Sequence, residues 1–104
     1  MKIYVVNSYF PTTIIAKKIA NGALKNRFAA CANIKNNINS YYWWSKKILN
    51  SKEIEVSFKT SKNKLVKLIN FIEKNHPYDC PAIISYELFN CNQKYKSWVL
   101  NETK

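Results

Sequence analysis

The segment His76-Pro77-Tyr78-Asp79-Cys80-Pro81 constrains this chain more than any other. Its two prolines fix φ twice and remove two backbone donors. The residues before them, His76 and Cys80, are pushed toward extended geometry. A helix entering the block must stop near Asn75, and a strand is predicted to begin near Cys80. An imidazole, a phenol, a carboxylate and a thiol lie between those stops. The block therefore reads in two ways. It is a functional site placed on a loop, or a turn whose polar side chains satisfy the interrupted backbone.

The rest of the chain arranges itself around this break. Lys2 to Asn7 reads as a buried strand. Pro11 suits a first helical position, with Thr12 and Thr13 beside it. Ile14, Ile15, Ile19, Ala23 and Leu24 then carry a helical stripe to about Asn26. Phe28 to Ile34 reads as a small-sided strand, and Ser40 to Trp44 as an aromatic one, followed by a polar turn over Ser45 to Ser51. From Glu53 to Lys59 polar and apolar residues alternate, with Glu53, Glu55 and Ser57 opposite Ile54, Val56 and Phe58. This predicts a long antiparallel hairpin with one wet face. Ser61 is placed to cap a second helix with the stripe Leu65, Val66, Leu68, Ile69 and Ile72. Ala82 to Phe89 completes the strands, and Lys94 to Leu100 forms a short last helix. The order is βαββαβ plus a C-terminal helix, an α+β ferredoxin-like arrangement. Its helices are expected on one sheet face. The aromatic face then needs a cover, most economically another copy of the chain.

Composition narrows the function. The 104 residues fit one domain spanning 1–104, and 47% hydrophobic content is too high for disorder. No apolar run approaches the roughly 20 residues of a membrane span. Met1-Lys2 leads straight into a strand, so no signal peptide is expected. Three cysteines without a CxxC spacing fit reduced thiols and a cytoplasmic setting. The net charge of +11 suggests an anionic partner, yet only Arg27 among the 17 basic residues is an arginine. Lysines scattered singly or in pairs give weak, not specific, nucleic-acid binding. No Ser-His-Asp set, phosphate loop or carboxylate pair with an adjacent base is present, so an enzyme is not expected.

Several separated motifs resemble one family. They are Arg27-Phe28-Ala29-Ala30-Cys31-Ala32-Asn33-Ile34, then Ser40, Tyr42-Trp43, Lys46, Glu53 and Lys59-Thr60, then the proline block, Tyr95 and Trp98. Together they resemble the CutA divalent-cation tolerance family along essentially the whole chain. The resemblance implies a ferredoxin-like subunit in a tight homotrimer similar to PII proteins, and a link to tolerance of copper and other divalent metals. Departures from the family pattern are Ser45 in place of a glycine, Asp79 in place of a glutamate, and Asn90 and Asn92 in place of a glycine.

The candidate site residues follow. Tyr42, Trp43, Glu53, Lys59, Tyr78 and Trp98 are expected around an intersubunit cleft. Trp43 and Trp44 point to opposite faces, one inward and one toward a neighbour. Lys59 reads either as neutralising an anion held at the N-terminus of the next helix or, the favoured expectation, as an ion pair with Glu53 or Glu55 lining a pocket. His76 and Asp79 are the metal candidates, with copper or another divalent ion as the possible cofactor, and a tight site needs ligands from two subunits. Two functions remain open: a trimeric module holding a small ligand or metal, or a structural trimer that scaffolds another protein.

Overall fold

A computed structural model describes all 104 residues. Four strands form one sheet in the order β2-β3-β1-β4, every neighbouring pair antiparallel. In chain order the elements are β1 (Ile3–Phe10), α1 (Thr13–Lys25), β2 (Cys31–Trp44), β3 (Lys47–Ser61), α2 (Lys62–Asn75), β4 (Ile83–Glu87) and α3 (Gln93–Glu102). This is the expected α+β ferredoxin-like order with its extra helix.

The core forms where strand and helix periods meet. Val6 and Phe10 of β1, with Val56 and Phe58 of β3, point to one face. There they meet Ala16, Ile19, Ala20 and Ala23 of α1 and Leu68 and Ile72 of α2. Burying each large side chain contributes about 1.5–3 kcal/mol. Two polar groups on this face are satisfied locally. The Ser8 hydroxyl donates to the Ala82 carbonyl at 2.8 Å, and Thr60 donates to Phe28 O at 2.6 Å.

Several boundaries differ from the sequence reading. Pro11 precedes the helix rather than opening it. Thr12 is the N-cap, and its Oγ1 accepts from the Ile15 N–H at 3.2 Å. Ser61 sits at the N-cap of α2, but its buried hydroxyl caps nothing and has no partner. Val66 turns outward from the α2 stripe and is exposed. β2 is one continuous strand rather than two, with a bulge where Asn36 and Asn37 face Ile54 alone, and Asn37 has φ 61°. The polar turn shrinks to Ser45 and Lys46, because Tyr42 pairs with Leu49 and Trp43 with Ile48. These cross-strand contacts outweigh the weak strand propensity of the Lys-rich segment.

The third helix overturns the one-sided arrangement. Ile3 and Val5 alternate away from the main core yet are buried, as is Val99 of α3. α3 packs against β1 and β3. It therefore covers one end of the sheet face opposite α1 and α2, and leaves the remainder of that face and the hairpin arm uncovered.

Ser45 and Lys46 both occupy left-handed backbone, with φ 50° and 64°. That geometry matches the two-residue hairpin turn that favours Asn-Gly. A side-chain-bearing residue there costs about 1–2 kcal/mol. Lys46→Gly is expected to stabilise the chain by about 1 kcal/mol, read as a higher denaturant midpoint with an unchanged slope.

Candidate functional site

The uncovered face of the sheet is built in rows by the strand register. Asn33, Ser57, Asn7 and Ile84 align across the four strands. On one side of this row lies Lys35–Glu55–Tyr9, and on the other Cys31–Lys59–Val5–Tyr86. The alternation that buries Val56 and Phe58 thus places a polar floor at the middle of the opposite face.

Lys59 holds this floor together. Its ammonium donates to Asn33 Oδ1 at 3.0 Å and to Ser57 Oγ at 3.3 Å. The expected ion pair does not form. The chain has two ion pairs, Lys2–Glu87 at 3.6 Å and Arg27–Glu102. Glu53 lies six residues from Lys59 along the same strand, about 20 Å at strand rise. Both strand carboxylates take phenols instead. Tyr9 donates to Glu55 Oε2 at 2.9 Å, and Tyr78 to Glu53 Oε2 at 2.8 Å. Burial first, and then the carboxylate each one meets, push both phenols above the ordinary tyrosine range. At the α3 end the Tyr95 hydroxyl lies 3.1 Å from Cys31 Sγ, and the Tyr95 phenol is also raised, by burial and by that thiol. Asn7 Oδ1, in the middle row, is buried without a hydrogen-bond partner.

The sequence candidates therefore divide. Tyr42, Glu53 and Tyr78 gather at the hairpin end, where Tyr42 contributes to the raised Tyr78 phenol and its hydroxyl lies 3.3 Å from Ser51 Oγ. Lys59 lies at the other end. Trp98, beside Tyr95 at 5.7 Å between ring centroids, belongs to that end through the Tyr95–Cys31 contact. Trp43 is with neither group. It sits on the far side of the arm and is 71% exposed, and Trp44 is 50% exposed, so neither tryptophan packs inward within one chain. Asn7, Tyr9 and Ser57 are residues of this floor that the sequence reading did not name as candidates, whereas it offered Glu55 only as a partner of Lys59. The β3 alternation signalled Glu55 and Ser57. Only the β1–β3 register brings Asn7 and Tyr9 beside them.

The proline block closes the end of β1. The His76 ring stacks on Phe10, with centroids 4.5 Å apart. Nδ1 accepts from the Tyr78 N–H at 3.1 Å, so Nε2 carries the proton and donates to the Tyr9 carbonyl at 2.8 Å. Both nitrogens satisfy backbone groups, the Tyr78 N–H inside the block and the Tyr9 carbonyl at the end of β1, which is the turn reading of the block. Metal ligation at His76 requires one of these bonds to break. Asp79 and Cys80 are exposed, and no three His, Cys, Asp or Glu side chains converge within the chain. The residues of one chain do not fit a resident metal centre.

Residues 4–102 match the family profile described as CutA1 divalent ion tolerance protein. This chain belongs to that family. It is 37% identical over 100 residues to the divalent-cation tolerance protein CutA of Pyrococcus horikoshii, covering 96% of this chain and 97% of the relative. The CutA1 crystal structure from Ehrlichia chaffeensis superposes with a TM-score of 0.94 at 39% identity, covering 100% of this chain and 98% of that one. CutA1 from Oryza sativa superposes at 0.96 with 32% identity, over 100% and 95% of the two chains. The ferredoxin-like assignment and the family resemblance are thereby established. No helix of this CutA1 chain is long and apolar enough to cross a membrane.

His76 has a lowered pKa, burial outweighing the opposing effects of the Tyr9 hydrogen bond and the Glu53 charge. The unfolded chain therefore takes up the proton first. Stability is full above the unfolded value of about 6.5 and declines as pH falls through it toward the folded pKa. Chemical denaturation should show this decline between roughly pH 7 and 5, above most carboxylate titration. His76→Phe should flatten it, and an unchanged slope in that variant would remove His76 as the cause.

Proposed function

We propose that this CutA1 chain is a non-catalytic homotrimeric module of the cytoplasm, supporting divalent-cation tolerance by holding a small ligand in clefts that neighbouring subunits close over the polar floor. One observation carries the assembly. The hairpin arm exposes Tyr41, Trp43 and Ile48 on one face and Trp44 on the other, apolar surface that water disfavours. Aromatic residues of this kind dominate the buried centre of protein interfaces. The floor supports the ligand reading, since it offers a lysine with no carboxylate partner and an amide oxygen with none. Three unpaired cysteines support a reducing compartment.

In this reading metal contact is secondary. Copper capture centres on His76 and is modest, because the imidazole must exchange a backbone hydrogen bond for the ion, and Asp79 is the only carboxylate in its turn. Copper is the most strongly held divalent ion for mixed donors of this kind.

Light scattering at micromolar concentration should give three times the 12.2 kDa chain mass. Trp43→Ala should lower the melting temperature and make it depend on protein concentration. A monomer mass for the native chain would end the trimer reading. Copper calorimetry should show weak binding that declines as pH falls through the imidazole range and is reduced in His76→Ala. Equal affinity and stoichiometry in the two proteins would assign copper elsewhere.

A further inference from the structure

We propose that the mid-sheet floor is a binding site for a small oxyanion that keeps one protonated oxygen, of the hydrogen phosphate class. The inference rests on reading the floor as a ligand cleft and adds the chemistry of its occupant.

The donor inventory sets that chemistry. Lys59 has three N–H groups and spends two, on Asn33 Oδ1 and Ser57 Oγ. Because Ser57 Oγ accepts there, its own proton is free to donate. Because Asn33 Oδ1 accepts, its amide NH2 is left as a donor. These donors carry one positive charge with no carboxylate within 4.0 Å of the ammonium. Glu55, on the same face four residues along and about 13 Å away at strand rise, is taken by the Tyr9 phenol. A cation ringed by neutral donors selects an anion with several acceptor oxygens.

Asn7 supplies the opposite requirement. Its Oδ1 is buried and makes no hydrogen bond, and it lies beside Ser57 in the register. Leaving such an acceptor unpaired costs about 1–3 kcal/mol. A fully deprotonated anion would face that oxygen with another acceptor, whereas an anion with an O–H supplies the missing donor. The size limit follows from the sheet. Asn33, Ser57 and Asn7 stand on three adjacent strands, about 10 Å across. The Tyr9–Glu55 pair bounds the row on one side, and Val5, buried at the α3 end, bounds it on the other. One tetrahedral or planar oxyanion fits that span.

The test titrates inorganic phosphate and, separately, sulfate into the native protein by calorimetry near pH 7.5, with ionic strength held constant by sodium chloride. Sedimentation is run on the same samples. Phosphate is expected to bind at least threefold more tightly than sulfate, which has no proton to donate at that pH. Lys59→Gln should weaken phosphate binding tenfold or more, and Asn7→Ala should bring phosphate down to the sulfate level. On 15N-labelled native protein, the side-chain amide signals of Asn7 and Asn33 should shift during the phosphate titration, an observation that does not depend on either variant folding. A trimer that binds no phosphate, or unshifted amide signals, overturns the oxyanion assignment while the trimeric module stands. Native-like phosphate affinity in folded Lys59→Gln also overturns it, by assigning the binding to the general surface charge. A native chain that stays monomeric overturns the underlying cleft reading.

Discussion

The β1–β3 register is the constraint on which the rest of the molecule depends. It pairs Val6 with Phe58 and Ser8 with Val56, and so commits those positions to the helices. The same register commits Asn7, Ser57, Tyr9, Glu55 and Lys59 to the other face. A slip of one residue would put the ammonium and both strand carboxylates into the apolar core, at a cost no other contact in so small a domain could offset. Register and site are therefore one property. The hydrophobic pattern that folds the domain also builds the polar floor.

His76 secures the end of that pairing. Stacked on Phe10 and bonded to the Tyr9 carbonyl, it fixes the last residues of β1 opposite Ile54 and Glu55. Beyond Phe10, β3 has no β1 neighbour. There Tyr78 crosses to Glu53 and continues the row of phenol–carboxylate contacts begun by Tyr9 and Glu55. A segment dense in reactive groups thus acts through geometry, with each polar atom consumed by the backbone or by a neighbouring strand. The same economy explains why the lone histidine of this family member gathers no ligand set within its own chain.

Much of this was legible in the sequence. The alternation from Glu53 to Lys59 gave strand, face and hairpin, and the prolines gave the end of α2 at Asn75. The separated motifs gave the family. Three features were not legible, each for a physical reason. The length of β2 depends on cross-strand partners such as Tyr42 with Leu49, which no local propensity records. The face chosen by α3 depends on where Ile3 and Val5 lack cover, a property of the assembled sheet. The Lys59 ion pair seemed natural from residue types alone, but strand rise separates Lys59 from Glu53, and the phenols of Tyr9 and Tyr78 reach the carboxylates instead.

The bulge at Asn36 and Asn37 has a further consequence. Before it, odd-numbered residues of β2 share the face of Lys59. After it, even-numbered residues do, as Ile38 opposite Glu53 shows. The extra residue thus shifts the numbering parity of the whole arm while its two sides stay matched to those of β3. Removing one of them would set a single asparagine opposite Ile54, and because each aromatic shares the face of its β3 partner, Tyr42 and Trp44 would keep the Glu53 side and Tyr41 and Trp43 the other. The arm's sidedness is therefore held by β3, and the extra residue at its root acts on the local bend and twist of the strand instead.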